Sequence, residues 1–264
     1  MSKPTERFTT RADAYARYRP GYPAEVVTLL QQRCGLSAQA VVADIGSGTG
    51  ILTALLLKSG AQVFAVEPNG AMRAAAETAL RALPRFHSVN GTAEATTLAG
   101  ESVDLLVAGQ AFHWFDAPLA RLEALRVIRA GGCGALLWNE RPTEATAFLA
   151  DYEAMLKRHA PQYASITASR ANEAIMREFF GGAMERAAFP NQQQLDFEGL
   201  RGRLLSSSYA PEPDDPGYAA IMAALRQVFD AHAREERVVL PYQTLVYFGP
   251  LKPYQTGTRS AGAR

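Results

Sequence analysis

The chain has 264 residues, 48% of them hydrophobic and 20% charged, which suits a soluble globular protein with one large domain or a domain and a modest appendage. Its 27 basic side chains nearly balance 26 acidic ones, and lysine is scarce beside arginine, so a role in tracking nucleic-acid phosphates is not expected. Two cysteines, Cys34 and Cys133, lack any CxxC or Cys/His spacing, which argues against both a disulfide framework and a zinc site.

In chain order, residues 1 to about 10 read as flexible. "RADAYARYRPGYPAEVVTLLQQRCG" predicts a short helix, a Pro-Gly turn and a second helix from near Pro23 to before Gly35. The opening stretch has no apolar core of a signal peptide, and no apolar run reaches the roughly 20 residues of a membrane span. Strands and helices then alternate. "AVVADIG" is a strand, "GILTALLLKSG" a helix, "AQVFAVEPN" a strand and "GAMRAAAETALRAL" a helix. "RFHSVNGTAE" and "ESVDLLVAGQ" follow as strands three and four, the latter running into "AFHWFD". The helix "APLARLEALRVIRA" leads through Gly131 and Gly132 to a fifth strand, "CGALLWNE", where Cys133 reads as ordinary packing.

After Asn139 the pattern changes. Residues 141 to 180 are mostly helical, "GGAMERAAFPNQQQLDF" reads as a strand, and "EGLRGRLLSSSYA" and "YAAIMAALRQVFDAHARE" read as helices. "RVVLPYQTLVYFG" closes as a strand before a loose tail. Such alternation implies parallel strands with helices on both faces, and ligands bound outside the carboxyl ends of those strands.

The glycines of Asp44-Ile45-Gly46-Ser47-Gly48-Thr49-Gly50 are therefore placed to hold a cofactor. They do not fit a nicotinamide fingerprint, since Gly50 comes one place early and Ile51 stands where a small residue is wanted. No Gly-Lys-Ser/Thr follows, which excludes a Walker A loop. Asp44 would repel a pyrophosphate and attract an ammonium group. Glu67, ending the next strand, can accept hydrogen bonds from the vicinal hydroxyls of a ribose. A ribose with a cationic amino-acid tail and no phosphates describes S-adenosylmethionine.

With "YARYRPGYP", "ADIGSGTG", "AVEPNGAMR", "GTAEATTL", "SVDLLVAGQAFHWFD" and "ALRVIRAGG" in order over about residues 15 to 139, the chain resembles class I S-adenosylmethionine-dependent methyltransferases. The branch it looks most like is the small-molecule one related to trans-aconitate and ubiquinone-pathway enzymes. The resemblance implies an α/β fold: a Rossmann-like seven-stranded sheet, mostly parallel with the last strand antiparallel, helices on both faces and a helical lid. It divides the chain into an N-terminal helical cap (1–36), a cofactor-binding core (37–140), a lid (141–180), strands and helices completing the core (181–250) and a flexible tail (251–264). It also implies that Asp44, Gly46, Gly48 and Thr49 hold the methionine portion and Glu67 the ribose. Pro68 and Met72 would lie against the adenine, although Met72 also reads as helix packing. Ala93 would face the other adenine edge; relatives carry Asp at the place of Thr92, and Glu94 is the acid nearby. Gln110 and Ala111 would line the passage to the acceptor. Tyr15 and Arg19 would fold over the cofactor, Arg19 pairing with its carboxylate or merely bracing the first helix.

His113 stands after strand four, where it is either a general base for a hydroxyl or amine acceptor or a structural member of the aromatic loop. Trp114, Trp138, Asn139, Arg141 and Tyr209 are the candidate acceptor-side residues, Arg141 suiting an anion. The expected activity is methyl transfer to a small molecule, at oxygen, in a cytoplasmic enzyme with no metal and no nucleic-acid or membrane partner. Transfer to carbon or nitrogen, a non-methylating cofactor-binding protein and a nicotinamide-dependent oxidoreductase are the rivals.

Overall fold

Alternate residues of a strand face opposite ways, and in this chain both sets are apolar, so both faces of the sheet must be covered. The computed structural model describes residues 11–163 and 172–252. Among these, seven strands form one sheet: β1 (Val41–Ile45), β2 (Gln62–Val66), β3 (Phe86–Val89), β4 (Val103–Gly109), β5 (Ile128–Glu140), β6 (Glu185–Leu195) and β7 (Val238–Pro250). Their order is β3-β2-β1-β4-β5-β7-β6. The first five run parallel, and β7 is antiparallel to both β5 and β6, making the last strand the one that is reversed. The order turns back between β1 and β4, and a crevice is expected there.

The helices are α1 (Ala12–Tyr18), α2 (Glu25–Cys34), α3 (Ile51–Leu57), α4 (Gly70–Leu80), α5 (Ala117–Val127), α6 (Ala147–His159), α7 (Glu173–Phe180), α8 (Phe197–Leu205) and α9 (Tyr218–His232). On one face Val42, Leu105, Val107, Ala135 and Leu137 pack with Val26 and Leu30 of α2 and with Leu52 and Leu56 of α3. On the other, Ala43, Leu106, Ala108 and Leu136 meet Ala120 and Ala124 of α5 and Met176, Phe179 and Phe180 of α7. A third cluster joins α6, α8 and α9 to Val238, Leu240 and Tyr242 at the start of β7. Because β7 is reversed, its start lies at the carboxyl end of β5, where Gln243 pairs with Glu140. This helical group therefore sits at the ligand-binding end of the sheet. The expected lid segment divides between the two regions, α6 joining this cluster and α7 packing with α5.

Three expectations are corrected. Cys34 and Cys133 are joined as a disulfide, with their Cα atoms 5.3 Å apart. Cys133 points to the α2 face of β5, and Cys34 is buried in the last turn of α2 on that face. Only the tertiary fold brings together two residues 99 positions apart. Strand β5 also begins earlier than Cys133, because Ile128 already pairs with Val103 and the chain passes through Gly131 and Gly132 as strand. Leu251, assigned to the tail, is buried and donates its N–H to Gly132 O. The flexible segment expected at 1–10 and the tail from 253 onward lie outside the described residues.

Candidate cofactor and acceptor site

At the end of β1 the chain must turn sharply to start α3. Gly46, Gly48 and Gly50 take φ values of 67°, 57° and 84°, the left-handed region that glycine enters without strain. At Gly46 space is limiting as well: a Cβ there would lie 2.6 Å from that of Ala111. The N–H groups of Gly46 and Ser47 both donate to Val66 O, fastening the loop to the end of β2.

Glu67 follows directly and is 8% exposed. Its Oε2 accepts from Gly48 N at 2.9 Å and its Oε1 from Asn69 N at 2.8 Å. Asn69 in turn caps α4 by accepting from Met72 N. Burial raises the Glu67 carboxyl above its usual range, against the backbone donors that hold it down. One carboxylate thus ties the glycine loop to the next helix and leaves lone pairs facing the cavity.

Asp44 lies on the α3 face of β1 and is fully buried. Its Oδ2 accepts from Thr53 Oγ1 at 2.6 Å, while Oδ1 is buried with no hydrogen-bond partner. Burial pushes this carboxyl up to about 7, with Glu67 adding to the rise and the Thr53 hydrogen bond opposing it. A buried oxygen without a donor is rare enough in folded proteins to require an explanation.

At the end of β4, Gln110 holds φ 58°, a costly backbone for a residue with a side chain. Its N–H donates to Leu137 O and its Nε2 to Asn139 O, which keep it there. Two chambers meet at this point, sharing Tyr15, Gly46, Gly48, Gly109 and Gln110 as walls. The smaller, about 170 Å³, is bounded by Glu67, Pro68, Met72, Thr92, Ala93 and Glu94. The larger, about 350 Å³, is bounded by Asp44, Arg19, Asn139, Arg141 and Arg203.

The structure brings most of the candidate residues to these walls. Ala111 lines the smaller chamber, and so does Trp114, which was expected on the acceptor side. Glu94 Oε1 accepts from Asp116 N, and Thr92 Oγ1 accepts from Ala95 N, so both shape the loop they stand in. Arg19 stacks over the Tyr15 ring and donates to Ser206 O at 2.9 Å. Thr49 is buried beneath the loop and lines neither chamber. Trp138 is 1% exposed in the core, edge-on to Phe112 and Tyr247, because it points to the α5 face of β5. Tyr209 stands behind Tyr163, their rings edge to face at 4.9 Å. His113 faces a separate cavity between α5 and α7, away from both chambers.

The residues that sequence reasoning missed come from the helices and the connections beside them. Tyr22, Glu153, Tyr163 and Arg203 all line the larger chamber. Tyr22 stands inside the "YARYRPGYP" stretch without having been singled out, and no motif marks the other three, although Gly202 beside Arg203 was a signal. A Cβ at Gly202 would run into the Tyr18 ring, so this glycine lets α1 press onto α8. Among the described residues no group of three or more His, Cys, Asp and Glu is placed to hold a metal ion, and no helix is long and apolar enough to cross a membrane.

Comparison with known proteins bears on the half of the site that holds Asp44, Glu67 and Gln110. Residues 43–136 match the methyltransferase domain family. An uncharacterized methyltransferase of Mycobacterium tuberculosis is 40% identical over 134 residues, 51% of this chain and 52% of that protein. The chain thus spans about half the length of this relative. An uncharacterized methyltransferase-like protein of Schizosaccharomyces pombe is 25% identical over 250 residues, 93% of this chain and 96% of its own. Among solved structures, a candidate type II methyltransferase from Anaeromyxobacter dehalogenans superposes with a TM-score of 0.63 at 23% identity, covering 90% of this chain and all of its own. That likeness is one of fold. The matched segment carries the glycine loop and both acids, whereas α1, α6 and α8, which close the larger chamber, lie outside it.

Proposed function

We propose that the protein is an S-adenosylmethionine-dependent methyltransferase that moves a methyl group to a small-molecule acceptor, at oxygen. The reading is carried by Asp44 Oδ1, a buried carboxylate oxygen without a donor, on a residue that lines a chamber beside a glycine cradle. An ammonium group supplies the missing donor, and a pyrophosphate would be repelled. Asp44 with Gly46 and Gly48 would hold the methionine portion, Arg19 its carboxylate, and Glu67 the ribose. Pro68, Met72 and Ala93 bound the smaller chamber, whose size and apolar walls suit an adenine. When bound, the cofactor supplies a methyl group already activated on a sulfonium.

The chain's own work is then to orient and to exclude water. Gln110 stands at the junction of the two chambers, fixed by Leu137 and Asn139, where the acceptor must approach. Alignment of this kind is worth on the order of 7 to 11 kcal/mol without any acid or base. His113 is set apart from the junction, so the reading gives it a structural share and no proton transfer. The test is incubation with methyl-deuterated S-adenosylmethionine and a small-molecule extract, followed by mass spectrometry. A product carrying the labelled methyl on oxygen is the expected result. Label on carbon or nitrogen would correct the acceptor atom, and cofactor binding without label in any product would sink the activity.

A further inference from the structure

The larger chamber ends in two buried guanidinium groups whose charges are poorly answered by the protein. Arg203 is 4% exposed. Its Nε donates to Tyr242 Oη at 2.9 Å and its Nη1 to Ser207 Oγ at 3.1 Å, both neutral partners. No carboxylate of the described residues lies within ion-pair distance of it. The Arg141 side chain is 8% exposed, with Glu153 at a long 3.8 Å. Its Nη2 donates to Tyr163 Oη at 2.9 Å, and its Nε is buried without a partner. Glu153 is itself engaged, accepting from Tyr163 Oη at 2.5 Å. Buried charge normally persists only when it is paired, so Arg203 lacks an anion and Arg141 has only a long, shared one in Glu153.

We infer that this end of the chamber binds the carboxylate of a small organic acid, held by Arg203 and Arg141, and that such acids are the acceptor class. The inference rests on the larger chamber being the acceptor side of a methyl-transfer site. A guanidinium fork matches a planar carboxylate and can meet both of its oxygens. Asp44, Glu140 and Glu153 also line the chamber, so a phosphate dianion would face three carboxylates; with Glu153 answering one of the two guanidinium charges, the one left is balanced by a monoanion. Tyr209 reports the same imbalance: burial would push its phenol up, but Arg141 and Arg203 outweigh that and draw it down to about 7. A cavity of about 350 Å³, shared with a methionine tail, is of a size for a small molecule.

The experiment uses the full chain saturated with S-adenosylhomocysteine, and separately without it. Benzoate and butanoate, benzamide and butanamide, and inorganic phosphate are titrated at millimolar concentrations, with thermal shift and calorimetry as readouts. The acids should raise the melting point and the isosteric amides should not. Arg141→Gln should weaken acid binding about tenfold or more while S-adenosylhomocysteine affinity stays as it was. Arg203→Lys, which keeps the charge and loses the fork, should weaken it by less; if that variant does not fold, Arg141→Gln decides alone. Acids and amides acting alike, phosphate displacing the acids, no acid binding at all, or undiminished acid binding in Arg141→Gln would each overturn the inference. Acid binding in a protein that does not bind S-adenosylhomocysteine would instead sink the methyl-transfer reading and leave the acid site standing.

Discussion

The two chambers share walls at Gly46, Gly48, Gly109 and Gln110, yet they are built in different ways. The smaller is assembled from residues that follow parallel strands by a few positions. Glu67 reaches Asn69 two residues on and Gly48 nineteen back. The larger is closed by helices that meet only in the finished fold: Arg19 donates to a carbonyl 187 residues away, and Gln193 Nε2 to one 175 residues away. One side is set by backbone turns and the buried Glu67 carboxylate, the other chiefly by helix packing and buried arginines. Changes on the two sides should therefore fall on different measurements.

The largest effect is expected at the strand-end acid of the larger chamber. Asp44→Asn keeps the shape and the Thr53 contact but removes the charge. A charge-assisted hydrogen bond of about 1.5–3 kcal/mol corresponds to about 10- to 150-fold in affinity. Calorimetry with S-adenosylhomocysteine should show that loss, while the melting point of the unliganded variant should not fall. An unchanged affinity would remove the ammonium role from Asp44.

The same carboxyl sets a pH dependence of nearly that size. With its pKa raised to about 7 in the fold, Asp44 is mostly protonated at pH 6, and a cationic ligand favours the ionised form. S-adenosylhomocysteine affinity should rise by up to about tenfold per pH unit below 7 and level off above it. Asp44→Asn should flatten the profile. For stability the sign is opposite: the unfolded carboxyl, near 3.8, ionises first, so the unliganded protein should lose stability between about pH 4 and 7 and then stay level. A profile that stays flat in the wild type would separate Asp44 from ligand binding.

A change confined to the packed side sharpens the contrast. Gly202→Ala drives a methyl group into the Tyr18 ring, and overpacking of this kind costs about 1–3 kcal/mol. The melting point should drop by several degrees while the smaller chamber, probed by adenosine binding, is left as it was. Loss of adenosine binding would show that the two sides are not independent. The smallest effect is expected at His113. Its ring lies beside Trp114 in the loop after β4, facing another cavity, so His113→Ala should change turnover by less than about threefold. A collapse of turnover with intact folding would return the residue to proton transfer.

How much of this was legible in the chain follows the same division. Continuous apolar runs of strand length alternating with helical stretches revealed the parallel core, and the reversal of β7 was expected. The cofactor side was readable because Asp44, the glycines and Glu67 sit at strand ends, where local sequence dictates local geometry. Arg203 was not readable, since within "EGLRGRLL" it looks like any solvated helix residue; its burial depends on Gly202 admitting Tyr18. Trp138 failed for a related reason. Its place near the end of strand five suggested the mouth of the site, but strand parity turns it to the α5 face. The cysteine pair was invisible because only the packing of α2 on the sheet makes Cys34 and Cys133 neighbours.

The central claim is that the glycine loop and its two acids hold an S-adenosyl ligand and exclude a dinucleotide. It is tested most directly by melting the full chain with S-adenosylhomocysteine or with NAD, each at saturating concentration. Ligand at about 100 times its dissociation constant adds about 2.7 kcal/mol, which for a chain of this size is about 5 to 10 °C. The account predicts that rise with S-adenosylhomocysteine and none with NAD. A rise with NAD alone would contradict it.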